Sequence, residues 1–237
     1  MPDARATALA NSRLFHAMTS SDAQAILAAG IGRGLRKGQV LIRQAEPAAA
    51  FFLIERGYLK LTQVTAEGSE VIVRFAGPWD PVAGVAALGE TPYPVTATAC
   101  DAVDLVVWPR PVLADLLGRY PQLKTNILRE MTAHMDDALT RLRELATLKV
   151  SQRLAHTLLR LTAPAKLAGS SRLAVPHSLT RQELAELTGT TLFTVSRTLT
   201  DWEAAGLVRS SRARIEVLDA EGFATPPSRV RVETADL

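Results

Sequence analysis

Residues 188–202 read TGTTLFTVSRTLTDW, and the fold of this stretch decides what surrounds it. The spacing predicts a helix with Val195, Leu199 and Trp202 on one side, at the i, i+4, i+7 positions of a buried face. At about 100° per residue, Phe193 and Arg197 then point almost directly away from that face, with Ser196 and Thr200 beside them. A bulky ring next to a guanidinium makes little sense on a plain solvated face. Something outside the chain has to meet it.

Just upstream, LTRQELAELTG predicts a second short helix. Thr180 with Glu183 three residues later is a capping-box start, Leu184 and Leu187 supply the inward face, and Gly189 provides the tight turn. Two short helices joined at a glycine make a helix-turn-helix, whose second helix can enter the major groove of DNA. On that reading Phe193, Ser196, Arg197 and Thr200 face the groove, near Thr191 and Leu192 at the helix start. Arg197 can donate a bidentate pair to a guanine. Ser196, Thr194, Thr180 and Arg181 suit backbone phosphates, which hold position without reading sequence. The competing reading is a helical hairpin packed inside a larger fold.

The flanks extend the same unit. The second helix should stop near Gly206. Two β-like runs, LVRSS and RIEVLD, follow it as a wing, and after Phe223 a Pro-containing polar tail is expected to be poorly ordered. On the other side, VSQRLAHTLLRLTA from Val150 is helical and PAKLAGSSRLAVPHS is a loose connection.

Before Val150 comes a helical stretch from about Arg110 to Lys149. In it Leu128, Met131, Met135, Ala138, Leu142 and Leu145 alternate spacings of three and four, a heptad seam. The seam fits either a helix lying on its own domain or a parallel coil joining two copies of the chain; the dimer is the expectation carried forward. From about Leu35 to Trp108 the chain instead breaks into short strands at Lys37-Gly38, Gly57 and Glu67-Gly68, which predicts an all-β sandwich or roll. Short helical segments precede it, with Ser20 or Ser21 as cap.

Composition narrows the classes. The 237 residues carry 27 Lys plus Arg against 24 Asp plus Glu, a net charge of +3, which neither demands nor excludes a polyanionic partner. The lone Cys100 reads as a small buried strand residue, and a single cysteine excludes an internal disulfide framework, a Cys-rich zinc site and a four-cysteine iron–sulfur cluster. No secretory signal or stretch of ~20 apolar residues is present, so a cytoplasmic protein with no membrane partner is expected. HExxH, GxSxG and P-loop signatures are missing and the four histidines are scattered, so no enzyme is expected.

The order of parts resembles the CRP/FNR family of bacterial transcription regulators. The matching strings are KGQVLIRQAEPA, FFLIERGYLKLTQVTAEGSEVIVRFAGP, LTRQELAELTGTT and TVSRTL, within roughly residues 14 to 223. The resemblance implies an α+β chain in three parts: an N-terminal β-roll, a cyclic-nucleotide-binding-like jelly roll, over 1–110; a long dimerisation helix over 111–149; and a C-terminal winged helix-turn-helix over 150–237. It implies a homodimeric, sequence-specific, allosteric regulator with double-stranded DNA bearing a two-fold symmetric operator, and RNA polymerase, as partners. Family members often carry Glu-x-x-Ser-Arg on the recognition helix. Here Ser196-Arg197 match, but Phe193 stands at the Glu position and can only touch a thymine methyl.

The resemblance places an effector pocket at Gly84, Val85, Tyr93, Val95, Thr96, His134 and Ala138. Gly84 replaces the ribose-binding Glu, Tyr93-Pro94 replaces the phosphate-binding Arg-Ser, and Ala138 and Leu139 replace the hydroxyl pair that meets the base. No cation remains in this reading, so cyclic AMP is not expected. A haem stays open as cofactor, with His16, His134, His156, His177, Met131 and Met135 as axial candidates. So does a small organic effector, or none, or a signalling module that works through protein contacts.

Overall fold

The computed structural model describes Leu9 and residues 12–89, 91–167, 173–175, 177–211 and 214–219. The chain divides into two compact units, Met1–Arg141 and Leu142–Leu237.

The first unit opens with a 3-10 turn, Arg13–Phe15, and helix α1, Ser20–Ala28. The cap of α1 is Thr19, not Ser20 or Ser21: its hydroxyl accepts from the Asp22 N–H at 3.1 Å while its backbone stays extended. Eight strands follow: β1 Ile31–Leu35, β2 Val40–Ile42, β3 Ala50–Arg56, β4 Leu59–Val64, β5 Glu70–Ala76, β6 Pro81–Val82, β7 Thr96–Ala99 and β8 Val103–Pro109. Strand β1 starts earlier than the sequence pattern predicts. Its IGRGL run has two glycines and only Leu35 buried, so no alternation marks it; pairing with β8 from Ile31↔Val107 to Leu35↔Val103 makes it a strand.

The strands form two four-stranded antiparallel sheets, ordered β1-β8-β3-β6 and β2-β7-β4-β5. One apolar cluster draws on both, including Phe52, Ile54, Val103 and Leu105 from the first and Leu41, Leu59, Leu61 and Ala97 from the second. The alternate residues of the first sheet, Phe51, Leu53, Val106 and Trp108, join a second cluster with Leu14, Ile26, Leu113, Leu123 and Ile127. The continuous AFFLI run is therefore a strand covered on both faces. Trp108 stacks on Phe51 with centroids 5.5 Å apart and donates its indole N–H to the Ile26 carbonyl at 2.8 Å. Gly57 has φ +83°, and a Cβ there would meet the Ala102 carbonyl at 2.3 Å, so the bend between β3 and β4 requires glycine.

Helix α2, Gly84–Gly89, lies between β6 and β7, and the helical stretch after β8 is two helices, α3 Arg110–Arg119 and α4 Pro121–Thr147. The break falls at Tyr120, held out of the helical region by Pro121 behind it. On α4, Leu123 and Ile127 bury against the first unit, and the Asn126 amide donates to the Leu14 and His16 carbonyls, both at 2.8 Å.

The second unit holds α5 Val150–Leu167, β9 Leu173–Ala174, α6 Arg181–Thr188, α7 Leu192–Ala204, β10 Val208–Ser211 and β11 Arg214–Val217. Its sheet has three strands, ordered β10-β11-β9. The third strand sits in the segment expected to be loose; two residues among Gly, Ser and Pro carry no pattern of their own. The polar tail after Phe223 lies outside the described residues. Leu154, Leu158, Leu184, Val195 and Leu199 are fully buried, each contributing about 1.5–3 kcal/mol over exposure.

Candidate nucleic-acid interface and effector cavity

The two helices of the turn are set by local chemistry. Thr180 accepts the Glu183 N–H at 3.1 Å, and Glu183 takes the Thr180 N–H at 2.9 Å, the full capping box. Gly189 closes α6 in the left-handed region at φ 60°. Thr191 caps α7 by accepting the Thr194 N–H at 3.2 Å. From this start Val195, Leu199 and Trp202 are buried, as the spacing predicts.

The opposite side is bare. Phe193 is 72% exposed and Leu192 and Arg197 are exposed with it. Arg197 makes no hydrogen bond or ion pair with any described residue, so its five donors face solvent. Several nearby hydroxyls are already engaged. Thr194 and Thr191 share a 3.0 Å contact, and Thr180 gives its proton to Glu183 at 3.0 Å, which leaves Thr180 an acceptor that cannot donate to a phosphate. Thr200 donates back to the Ser196 carbonyl at 3.0 Å, and Ser196 is half-buried.

A feature that no sequence motif marks lies beside the turn. Thr180, Arg181, Ser210, Ser211 and Arg214 line a concavity of about 340 Å³ between the start of α6 and the β10–β11 hairpin. Arg181 donates to the Ser210 hydroxyl at 3.3 Å, and Ser210 in turn donates its hydroxyl and its N–H to Glu203. Those two bonds hold the Glu203 carboxyl below the usual carboxylate range. Arg214 is exposed and has no described partner. The alternation of β11 was the signal that could have found it: Ile215 and Val217 point in, so Arg214 points out.

In the first unit a cavity of about 100 Å³ is lined by Ile42, Phe51, Leu61, Arg74, Pro81, Val82, Ala83, Gly84, Pro94, Val95, Ile127, Glu130, Met131 and His134. Of the expected pocket residues, Gly84, Val95 and His134 are there. Tyr93 is not: it is buried in the inter-sheet core, where its hydroxyl accepts from the Ala49 and Ala50 N–H groups at 3.0 and 3.1 Å. Thr96 lies elsewhere on β7, accepting from the Gln44 N–H, and Ala138 is exposed on α4. The side chain of Val85 lies outside the described part. At position 84 only glycine fits without adjustment, since a Cβ would come within 3.0 Å of Ile127 and 3.2 Å of Phe51.

The expectation that no cation remains is wrong. Arg74, reaching in from β5, supplies one from within the matching string FFLIERGYLKLTQVTAEGSEVIVRFAGP, ahead of the Gly84 and Tyr93-Pro94 positions where the ligand contacts were sought. Burial pulls its pKa down, opposed by Asp80, whose carboxylate lies 3.6 Å away. Burial likewise pushes the Glu130 carboxyl up. His134 is pushed down to about 4, by burial first and then by the Arg74 charge, and is neutral near pH 7. Of the other axial candidates, Met131 also lines the cavity, whereas Met135 and His16 are exposed, His156 pairs with Glu144 at 2.9 Å and His177 bonds Ser178 in the second unit.

Along α4, Leu128, Met135, Leu139 and Leu142 are 47, 61, 58 and 63% exposed. Their spacings of seven, four and three form one stripe, with Thr132 between. Met131 is half-buried against its own unit, and Leu145, though half-exposed, would lie 3.0 Å from a Cβ on Gly189. The outward stripe therefore includes Leu139, and Met131 turns inward to the cavity. No helix among the described residues is long and apolar enough to cross a membrane.

Two family models match the chain: a cyclic nucleotide-binding domain over residues 33–120 and a Crp-like helix-turn-helix domain over 152–225. The transcriptional activator protein anr of Pseudomonas aeruginosa is 29% identical over 189 residues, covering 80% of this chain and 77% of that protein. A CRP-like cAMP-activated global transcriptional regulator of Mycobacterium tuberculosis is 25% identical over 188 residues, covering 79% and 84%. Among solved structures, FixK2 from Bradyrhizobium japonicum shares the fold at a TM-score of 0.72 and 19% identity, over 83% of this chain and 96% of that one. The catabolite activator protein of Thermus thermophilus matches at 0.53 and 25% identity, over 90% and 99%.

Proposed function

The chain belongs to the CRP/FNR family of transcription regulators, and from that premise we propose that it acts as a homodimer, placing two α7 helices in successive major grooves under control of an effector held by the β-roll. The observation that carries the DNA contact is the outward Phe193–Arg197 pair on a helix whose other face is fully buried. Arg197 reads a guanine through its two forked donors, and Phe193 covers a thymine methyl where many relatives hold a glutamate. Arg181 and Arg214 flank a notch of the right charge for one backbone phosphate, which fixes register without reading sequence.

Dimerisation is supported by the α4 stripe. Four exposed large apolar residues at heptad spacing leave an interface whose natural complement is the same stripe on a second copy. Adjacent turns of one duplex require the two α7 helices of such a dimer to lie about 34 Å apart. RNA polymerase is the further partner the family implies, and the cytoplasm the compartment.

The test is a mobility-shift assay of the full chain against genomic fragments. Wild type is expected to retain a small subset, and Arg197→Ala to lose about 1–3 kcal/mol on those fragments. Equal retention of all fragments, or no loss on substitution, overturns the reading.

A further inference from the structure

The first-unit cavity carries more chemistry than an effector domain in general would need, and any ligand assigned to it rests on the reading of that domain as a sensor. Arg74 has only 17% of its side chain exposed and five N–H donors to satisfy. Its partners are one long bond to the Phe75 carbonyl, at 3.4 Å, and the 3.6 Å contact with Asp80. The Asp80 oxygen is shared, since it also accepts from the Gly77 N–H at 2.9 Å. Glu130 is buried and His134 half-buried, and neither makes a hydrogen bond to a described residue. Three polar side chains with few or no hydrogen bonds to described residues thus face one hollow whose other walls include Ile42, Leu61, Val82 and Val95.

Size limits the guest. At about 100 Å³ the hollow is well short of the ~300 Å³ at which pockets begin to enclose drug-sized molecules, so it suits a small guest better than a porphyrin or a whole nucleotide. An apolar cavity of about 150 Å³ holds a benzene-sized guest. The ligand is therefore a few heavy atoms with an anionic end.

We infer that the β-roll binds a short-chain monocarboxylic acid, its carboxylate on Arg74 and its hydrocarbon body among the apolar walls, with Glu130 and His134 bordering the head group. An arginine fork matches a carboxylate with two parallel bonds, which the loosely held Asp80 leaves it able to make. Burial raises the Glu130 carboxyl above its ordinary range, which lessens its repulsion of an acid head group. The consequence for regulation is direct. Glu130 and His134 lie on the same turns of α4 that present Leu128 and Met135 to solvent, so a guest that shifts these turns shifts the stripe.

Calorimetric titration of the full chain with butyrate and with lactate, against butyramide and cyclic AMP, tests this. At least one of the acids is expected to bind, butyramide and cyclic AMP are not, and Arg74→Met is expected to weaken the acid about tenfold or more. If Arg74→Met fails to fold, Val95→Trp, which fills the hollow and leaves Arg74 in place, is expected to abolish binding. The inference falls if neither acid binds, if butyramide binds as well as butyrate, if cyclic AMP binds, or if these variants bind acid undiminished. DNA retention by the same variants is read in parallel: retention without any acid response sinks the ligand class alone, whereas loss of retention in wild type sinks the regulator reading itself.

Discussion

Helices α4 and α7 both leave large apolar side chains in solvent, and they do so in different ways. On α7 the exposed Phe193 and Leu192 crowd the first turn beside Arg197, while the rest of the helix buries Val195, Leu199 and Trp202. On α4 the exposed Leu128, Met135, Leu139 and Leu142 run along the helix with heptad spacing and no charge on the stripe. An apolar residue beside a forked cation suits a surface that is itself mixed, such as the edge of a T·A pair next to a guanine. A periodic, uncharged stripe suits only another of the same period. The pattern of exposure, more than its amount, separates the two proposed partners.

The largest way to break this contrast is at the stripe. Leu142→Glu is expected to convert a dimer to the 25.5 kDa chain in light scattering, and to lower specific DNA affinity by about 100-fold or more as the two binding modules become unlinked. The helical signal of each unit should remain. An unchanged dimer would mean that the stripe faces something else.

A smaller effect sharpens the other half. Selection from a random DNA pool by wild type is expected to enrich thymine opposite Phe193, and Phe193→Glu to move that preference to cytosine by about 1–3 kcal/mol. Enrichment of cytosine by wild type would remove the role given to the ring. Arg214→Ala is expected to leave the selected sequence alone and to reduce the salt slope of binding by about 1. A changed sequence with an unchanged slope would take Arg214 off the phosphate.

The smallest expected effect concerns pH. The folded state holds His134 near pKa 4, below its ordinary 6.5, so between those values the unfolded chain binds the extra proton. Stability therefore falls as pH drops through that window and is fully present above it. Arg74, Arg13 and Arg141 face the ring with the same sign, and Asp137 opposes them. His134→Gln should lose less stability than wild type between pH 6.5 and 4, measured as the difference in thermal midpoints. Parallel curves would place the ring in solvent.

Much of the second unit was legible because its signals are local. A capping box spans four residues, a left-handed glycine needs only its own φ, and the i, i+4, i+7 face of α7 lies within one helix. The hairpins at Gly57 and Gly68 were legible for the same reason. Where the sequence misled, the deciding contact was distant. Ile31–Leu35 is a strand only because β8, about seventy residues on, pairs with it. Tyr93 looked like a pocket residue until the Ala49 and Ala50 backbone claimed its hydroxyl.

By itself, then, the order of residues determined the two helices of the turn, the inward face of α7, and the outward pair Phe193 and Arg197. On α6 the buried residues are Leu184, Ala185 and Thr188, and the expected Leu187 is only half-buried. Periodicity and capping act over a few residues and need no knowledge of the rest. Only the tertiary structure decided that Arg74 from β5 and Glu130 and His134 from α4 share a hollow, and that Leu139 rather than Met131 stands on the free side of α4. Which side of an amphipathic helix a domain covers is set by packing between segments far apart in the chain, and no local pattern encodes it.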